Sequence, residues 1–306
     1  MDFSAESRFL PCRWGAFLRV TGEDAPSFLQ GQFSQDLRGL KVGGDPAYGL
    51  FLSHKGRVQA DAFVLRTVDG YRLASYACPG DSLRSRLESF IIADDVIVED
   101  QTADYAGLAV LGGAQPTSPE GGFVFPGRRA NSPNWEIIYP MKSGQAPYTP
   151  PGREEPPAFW EALRIRSGIP AVPLDVGPGD LPQEAGLTAA AVSFDKGCYL
   201  GQEIMARLKT RGRIRRGLRQ VTGSLVGLEA NNGSELSPFA KASGDGRVLP
   251  LLYDGKPVGE LRSAVAEGPA NWIGLAMVLV DVPHDAVLNL EAAPIGPSTL
   301  VRPLGH

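Results

Sequence analysis

The stretch of sequence that decides the fold is VSFDKGCYLGQEIMAR, which runs from Val192 to Arg207. We predict a strand that ends at Phe194, a sharp turn at Gly197 and a helix that starts near Tyr199. Three apolar residues recur every four positions and predict one buried helix face: Leu200, Ile204 and Leu208.

Cys198 is the residue of chemical interest in this stretch. At the positive end of the predicted helix, and two residues after Lys196, its thiolate would be stabilised by the helix dipole and by an ammonium group. Both effects lower a cysteine pKa below its ordinary value of about 8.5. A lone cysteine is otherwise most often a small buried hydrophobic residue, which is how we interpret Cys12 and Cys78. For Cys198 the local sequence leaves both interpretations open.

Composition narrows the class of protein. The chain has 306 residues, of which 43% are hydrophobic, and a formal net charge of −4. These values are typical of a globular protein and do not favour a nucleic-acid binder held by overall charge. No apolar run approaches the roughly 20 residues of a membrane-spanning helix, and no signal sequence is recognisable. We therefore expect a cytoplasmic protein that does not bind membranes.

The cysteines and histidines do not form a recognisable metal site. There are three of each, and no pair of cysteines has the CxxC spacing. A zinc or iron–sulfur site held by this chain alone needs several such ligands at short spacings. We therefore expect no metal site within the chain.

Local patterns predict an α+β body followed by a small antiparallel β-barrel. We assign residues 1–212 to the body, with two subdomains and a loop-rich insertion near 112–157, and residues 213–306 to the barrel. In the body, the patterns predict these strands and helices: a strand at 16–20, a helix after Asp24 with Pro26 in its first turn, a hairpin of 47–52 with 58–65, a turn at Asp69-Gly70, a helix at 81–90, strands at 91–92 and 96–98, and a helix at 157–168. In the barrel, Asp254-Gly255 predicts a hairpin turn.

The eight residues from Lys196 to Glu203, KGCYLGQE, resemble the K-G-C-Y-x-G-Q-E signature of the YgfZ-like proteins. That group includes mitochondrial iron–sulfur assembly factors. Further segments along nearly the whole chain are similar to the same family: Thr21–Gln32, Arg164–Pro170, Leu181–Glu184, Gly259–Ser263 and Gly274–Met277.

The resemblance implies the fold of the glycine-cleavage aminomethyltransferases, with tetrahydrofolate bound in the body. It also implies a role in the maturation or repair of iron–sulfur proteins, including enzymes that modify tRNA. Its expected partners are folate and iron–sulfur client proteins. Cys198 and Lys196 are the expected catalytic residues, and Glu203 would hold the helix by pairing with Arg207. The residues expected to contact folate are Gln32, Arg166, Tyr199, Gln202 and Arg207.

A true aminomethyltransferase is the first alternative. Those enzymes place an Asp-Asp pair after the turn of the second hairpin, where a carboxylate handles the reacting amine. The comparable stretch here, KGRVQAD from Lys55 to Asp61, has one acid only. We interpret Asp61 as a solvated strand residue.

An RNA-binding protein is the second alternative. The segment 204–219 carries seven basic residues and no acidic one, and those after Arg211 largely alternate. A strand would place several of them on one face, which suits a solvated face at a domain junction, a phosphate patch for RNA, or a patch for the acidic tail of a folate polyglutamate. Of the two binding functions, the polyglutamate patch fits better than RNA. No recognisable RNA-binding module accompanies the run, so direct nucleic-acid binding is not expected.

Overall fold

The structure is a computed structural model that describes residues 7–141, 148, 150–224, 249–268, 271–290 and 298–303. Its strands, in chain order, are β1 (Arg8–Cys12), β2 (Ala16–Thr21), β3 (Ala47–Leu52), β4 (Val58–Thr67), β5 (Gly70–Ser75), β6 (Ile97–Asp100), β7 (Tyr105–Leu111), β8 (Phe123–Pro126), β9 (Asn134–Pro140), β10 (Arg153–Glu154), β11 (Arg216–Ser224), β12 (Leu249–Tyr253), β13 (Lys256–Glu267), β14 (Asn271–Leu279), β15 (Val287–Leu290) and β16 (Ser298–Pro303). The helices are α1 (Ala25–Gln32), α2 (Gly80–Glu88), α3 (Pro157–Arg166), α4 (Thr188–Ala191) and α5 (Gln202–Arg211).

The first sheet is antiparallel, with the order β3-β4-β5-β2-β6. Its predicted elements are confirmed: the strand at 16–20, the helix with Pro26 in its first turn, the hairpin of β3 with β4 and the helix that becomes α2. The strand predicted at Ile91-Ile92 is wrong, because these residues form an irregular segment after α2, and only Ile97–Asp100 joins the sheet.

The second sheet has the order β10-β1-β7-β9-β8, and only the β10–β1 pair is parallel. Three of its strands lie in the segment near 112–157 that the sequence predicts to be loop-rich. The pattern fails there because β9 carries the buried acid Glu136 beside the adjacent buried residues Ile137 and Ile138, so strict alternation is lost.

The two sheets pack face to face through aromatic side chains. Phe17 and Phe63 of the first sheet meet Phe125 and Ile138 of the second in one buried cluster. The predicted helix α3 is confirmed, and its Trp160 packs against the second sheet.

The carboxy-terminal strands form a closed barrel with the order β11-β14-β13-β12-β15-β16. β16 closes the ring because it pairs with both β15 and β11. The hairpin of β12 with β13 turns at Asp254-Gly255, whose φ angles of 48° and 72° suit a two-residue hairpin turn, as predicted. An α+β body followed by an antiparallel barrel is thus confirmed. No helix in the described residues is long and apolar enough to span a membrane.

Candidate functional site

The loop before α5 differs from the prediction at both ends. The helix begins at Gln202 rather than near Tyr199, and residues 192–194 are not a strand. Gly201 precedes the helix with φ of 86°, and an added Cβ would lie 2.6 Å from the carbonyl oxygen of Ser53. Cys198 therefore lies four residues before the helix, outside its first turn. The helix-dipole argument for its thiolate no longer applies.

Lys196 anchors this loop to the end of α1. The side chain is buried, and its ammonium donates hydrogen bonds to the carbonyl oxygens of Gln30, Phe33 and Gln35 at 2.7, 2.7 and 2.9 Å. An ammonium has three donors, so all are used. Burial lowers the pKa of Lys196 to about 8, an effect opposed by the charge of Asp36.

Cys198 is exposed between two buried residues. On one side is Lys196, and on the other is Tyr199, whose ring centre is 5.2 Å from the ammonium. The backbone N–H of Leu200 donates to the carbonyl of Gly31 at 3.0 Å and fixes the loop again. The thiol is thus held outward on a segment anchored at both ends.

The other predicted folate contacts divide into two groups. Gln32 and Tyr199 lie near the Lys196 anchor, and within the described chain neither the buried Oε1 of Gln32 nor the buried hydroxyl of Tyr199 has a hydrogen-bond partner. Burial raises the pKa of Tyr199 to about 12. The side-chain amide of Gln202 donates weakly, at 3.5 Å, to the carbonyl of Lys196.

Arg166 and Arg207 lie elsewhere. Arg166 forms an ion pair with Glu267 of the barrel, so it joins the body to that domain. Arg207 forms the predicted i, i+4 pair with Glu203 at 2.8 Å on an exposed face of α5. Neither residue shares a direct contact with the Cys198 loop among the interactions of the described residues.

The prediction that Asp61 is a solvated strand residue is wrong. It is 4% exposed rather than solvated. One carboxylate oxygen accepts from the Tyr48 hydroxyl at 2.9 Å, and the other accepts from the Ser75 hydroxyl at 2.9 Å and the Cys78 thiol at 3.7 Å. Burial raises the pKa of Asp61. The error has a physical cause: the second sheet covers the face of β4 that the hairpin alone would expose.

The Asp61 network continues toward the second sheet. The guanidinium of Arg128 lies 4.0 Å from the ring centre of Tyr48. Its backbone N–H donates to the hydroxyl of Tyr76, which donates to Glu136 at 2.8 Å. Sequence reasoning missed this network. One signal was present, because Asp61 lies two residues before Phe63 and therefore on the same face of β4.

The other two cysteines differ from Cys198. Cys78 is buried, as predicted, and burial raises its pKa to about 12. Cys12 is partly exposed, and burial of its thiol raises its pKa to about 11. No group of three or more His, Cys, Asp and Glu side chains in the described ranges is arranged to hold a metal ion.

The basic run does not form one strand face. α5 ends at Arg211, and β11 begins only at Arg216. Arg216 forms ion pairs with Asp180 at 2.7 Å and Glu184 at 3.2 Å. Arg219 is buried and donates to the carbonyls of residues 279, 280 and 282. With Arg207, which pairs with Glu203, and Lys209, whose ammonium lies 4.2 Å from the ring centre of Phe194, at least four of the seven cations are used within the fold.

Comparison with solved structures identifies the fold. The aminomethyltransferase T of the glycine cleavage system from Bartonella henselae superposes with a TM-score of 0.72, covering 98% of this chain and 86% of that one at 16% identity. The fold is that of the glycine-cleavage aminomethyltransferases.

Relatives by sequence identify the family. The tRNA-modifying protein YgfZ of Edwardsiella ictaluri is 30% identical over 68% of either chain, and that of Sodalis glossinidius is 28% identical over 95% of this chain and 90% of its own. The chain belongs to the YgfZ family, as its signature predicts. No protein-family model matches it.

Proposed function

We propose that this protein binds a folate and supports the maturation or repair of iron–sulfur proteins, among them enzymes that modify tRNA, through the thiol of Cys198. The observation that carries the proposal is the exposed thiol on a loop fixed by buried neighbours. Family membership supports it, because the YgfZ relatives are named tRNA-modifying proteins.

Cys198 is suited to act on another protein. An accessible thiolate can ligate iron or exchange with a disulfide of another protein, whereas the thiol of a buried structural cysteine is not accessible to one. Lys196 acts in this proposal as a positioning residue, since its three donors are already bound to carbonyl oxygens. Its role is to hold the loop, and with it the thiol, in one place.

The residues around Asp61 fit a folate. The pterin ring of folate presents N–H donors at the edge of a flat ring, and a bound tetrahydrofolate would supply one-carbon chemistry. Asp61 offers a buried acceptor, and Arg128, stacked on the ring of Tyr48, offers a cation with further donors. The Oε1 of Gln32 and the hydroxyl of Tyr199, which have no hydrogen-bond partner among the described residues, offer polar contacts at the signature loop. We therefore propose that Asp61, Tyr48 and Arg128 hold the ring, in addition to the residues predicted from sequence.

Calorimetry tests the folate-binding part of the proposal, and restoration of iron–sulfur enzyme activity in cells tests the role of the Cys198 thiol. Tetrahydrofolate is titrated into the wild type and Cys198→Ala, and each is expressed in cells that lack the endogenous relative. We expect micromolar binding in both, about −8 kcal/mol, and loss of iron–sulfur enzyme activity in Cys198→Ala alone. Cys12→Ser is the matched control, because it removes a thiol elsewhere. Full rescue by Cys198→Ala would refute the thiol role, and absence of binding in both proteins would refute the folate role.

A folate-dependent aminomethyltransferase is the second candidate. The fold favours it, and so does Asp61, since a buried carboxylate with a raised pKa suits proton transfer to or from an amine. The test is release of ammonia from an aminomethyl-lipoyl carrier protein in the presence of tetrahydrofolate. Release that disappears in Asp61→Asn but persists in Cys198→Ala would favour this candidate over the thiol-based function.

A further inference from the structure

Four exposed cations lie on or beside the segments that border the Cys198 loop, and none has an ion pair with a carboxylate in the described part of the chain. A further arginine of α5, Arg207, is already paired with Glu203. We call the four residues the basic face: Lys55, Lys209, Arg213 and Arg215.

Two contacts connect the basic face to the loop that carries the thiol. The ammonium of Lys209 lies 4.2 Å from the ring centre of Phe194, which is four residues before the thiol in sequence. The β3–β4 turn, which carries Lys55, packs on Gly201, three residues after the thiol. A Cβ added to Gly201 would lie only 2.6 Å from a carbonyl oxygen of that turn. Segments with an unpaired cation therefore contact both ends of the loop.

Arg213 and Arg215 extend the basic face toward the barrel. They follow the end of α5, and the carbonyl of Arg215 accepts from the backbone N–H of Val280 at 3.0 Å. Val280 and its neighbour Leu279 are 39% and 44% exposed. Arginines beside exposed apolar side chains are typical of surfaces that bind other proteins.

The charge of this surface is opposite in sign to that of the whole chain. Two exposed acids adjoin it, Asp195 beside Phe194 and Asp281 beside Val280. Four cations and two acids leave an excess of two positive charges, whereas the chain as a whole carries −4. A local excess of this kind attracts and orients acidic partners.

From this arrangement we infer that the basic face is a docking surface for an acidic segment of a protein partner, which it brings to the thiol of Cys198. The inference rests on the proposed thiol function and names the kind of partner that the thiol meets. An RNA fits less well, because bases stack on exposed aromatic rings. The ring of Phe194 is half-buried beside Lys209, and no exposed aromatic residue lies in the described part of this face.

Disulfide exchange with charged peptides tests the docking surface. Three peptides of equal length carry glutamates, lysines or serines beside a cysteine that is activated as its 2-pyridyl disulfide. The thiolate of Cys198 attacks the peptide sulfur, the bond to the pyridyl sulfur breaks, and the released pyridine-2-thione is measured by its absorbance. Each rate is divided by the rate of the same peptide with 2-mercaptoethanol, a neutral thiol.

We expect the acidic peptide to react at least fivefold faster than the basic one in about 20 mM salt, with the serine peptide between them. In about 0.5 M salt the difference should fall below twofold, because the screening length is then only a few ångströms. Cys198→Ala should release no pyridine-2-thione, which shows that the measured rates belong to this thiol.

Charge reversal on the basic face should remove the preference. We expect Lys209→Glu to lower the ratio of acidic to basic rates at least threefold in about 20 mM salt. Lys41→Glu makes the same change at another exposed lysine and should leave the ratio unchanged. Lys41 lies near residue 66, about 25 Å along β4 from the β3–β4 turn at a rise of about 3.3 Å per residue.

A second variant covers the case in which Lys209→Glu disturbs the loop through Phe194. Arg213→Glu combined with Arg215→Glu changes two exposed side chains that have no hydrogen bond or ion pair among the described residues. It should lower the ratio by a similar factor without a change in melting temperature.

Equal normalised rates for the three peptides, or a ratio that neither variant changes, would overturn the docking surface and leave the thiol function intact. Absence of reaction with every peptide would refute the accessible thiol and the docking surface together. A gel shift of single-stranded RNA at micromolar wild-type protein, lost in the double variant, would assign the basic face to nucleic acid instead.

Discussion

The ammonium of Lys196 lies 2.7 Å from the carbonyl oxygen of Phe33, 163 residues earlier in the chain. Phe33 ends α1, so a cation from the signature loop satisfies carbonyls at that helix terminus, where positive charge is favourable. The contact ties the loop that carries Cys198 to the first sheet. Lys196 can therefore position the thiol two residues later without any direct bond to it.

Replacement of Lys196 by Met should destabilise the fold. The variant leaves three carbonyl oxygens without their donor, and we expect the free energy of unfolding to fall by about 2–4 kcal/mol. Urea denaturation followed by circular dichroism measures the change. Lys41→Met is the control, since Lys41 is exposed. Equal stability of the two variants would show that the Lys196 bonds contribute nothing.

The difference in stability between the wild type and Lys196→Met should depend on pH. The folded-state pKa of Lys196 is about 8, below its ordinary value near 10.5. Between these values the unfolded chain binds more protons at this site, so stability at this site rises with pH. The stability advantage of the wild type over Lys196→Met should therefore increase from pH 8 to pH 10. A decrease over that range would mean that the carbonyl contacts raise the pKa instead.

The three cysteines should differ in reactivity. Cys198 is exposed, whereas burial raises the pKa of Cys12 to about 11 and that of Cys78 to about 12. We expect the native protein to take up one equivalent of a maleimide at pH 7.5, counted by mass spectrometry. Cys198→Ala should take up none, and the wild type in denaturant should take up three. Labelling of Cys78 in the native protein would contradict the packing described here.

Replacement of Asp61 by Asn should weaken folate binding more than it affects the fold. Asn keeps an oxygen that accepts from Tyr48 or Ser75, but it removes the charge and one acceptor. We expect calorimetry with tetrahydrofolate to show at least a tenfold loss of affinity. Asp94→Asn, which removes the same charge from an exposed loop, should bind as the wild type does. Unchanged affinity in Asp61→Asn would exclude this carboxylate from the folate site.

Local patterns were sufficient for several elements of the fold. Pro26 after Asp24 predicts where α1 starts, and Asp254-Gly255 predicts a hairpin because the backbone of both residues can adopt positive φ. The signature also predicts the family. These features depend on residues that are close in sequence, so no tertiary information is needed.

The features that the sequence did not predict depend instead on residues far apart in the chain. The start of α5 depends on the contact of Gly201 with Ser53, and the burial of Asp61 depends on a second sheet that the sequence pattern did not predict. The anchoring hydrogen bonds of Lys196 could not be predicted either, because their acceptors are carbonyls at the end of α1. Each of these depends on contacts between distant segments, which periodicity cannot provide.

Asp180 is one of the residues that attach the barrel to the body. This residue is 1% exposed, and one of its oxygens accepts from Arg216 at 2.7 Å and Arg262 at 3.2 Å, both from barrel strands. Asp180→Ala leaves the two cations short of an acceptor. Because each keeps another acidic neighbour, Glu184 or Glu260, we expect a loss of about 2–4 kcal/mol rather than the full cost of an unpaired buried charge.

Urea denaturation measures that loss against Glu88→Ala, which removes an exposed pair with Arg84 and should have no measurable effect. Asp180→Asn should fall between the two, since its amide oxygen still accepts from one arginine. Because both arginines come from β11 and β13, the alanine variant should also expose the junction to limited proteolysis before the body itself unfolds. Equal stability of Asp180→Ala and Glu88→Ala would mean that the apolar contacts between barrel and body hold the junction without this carboxylate.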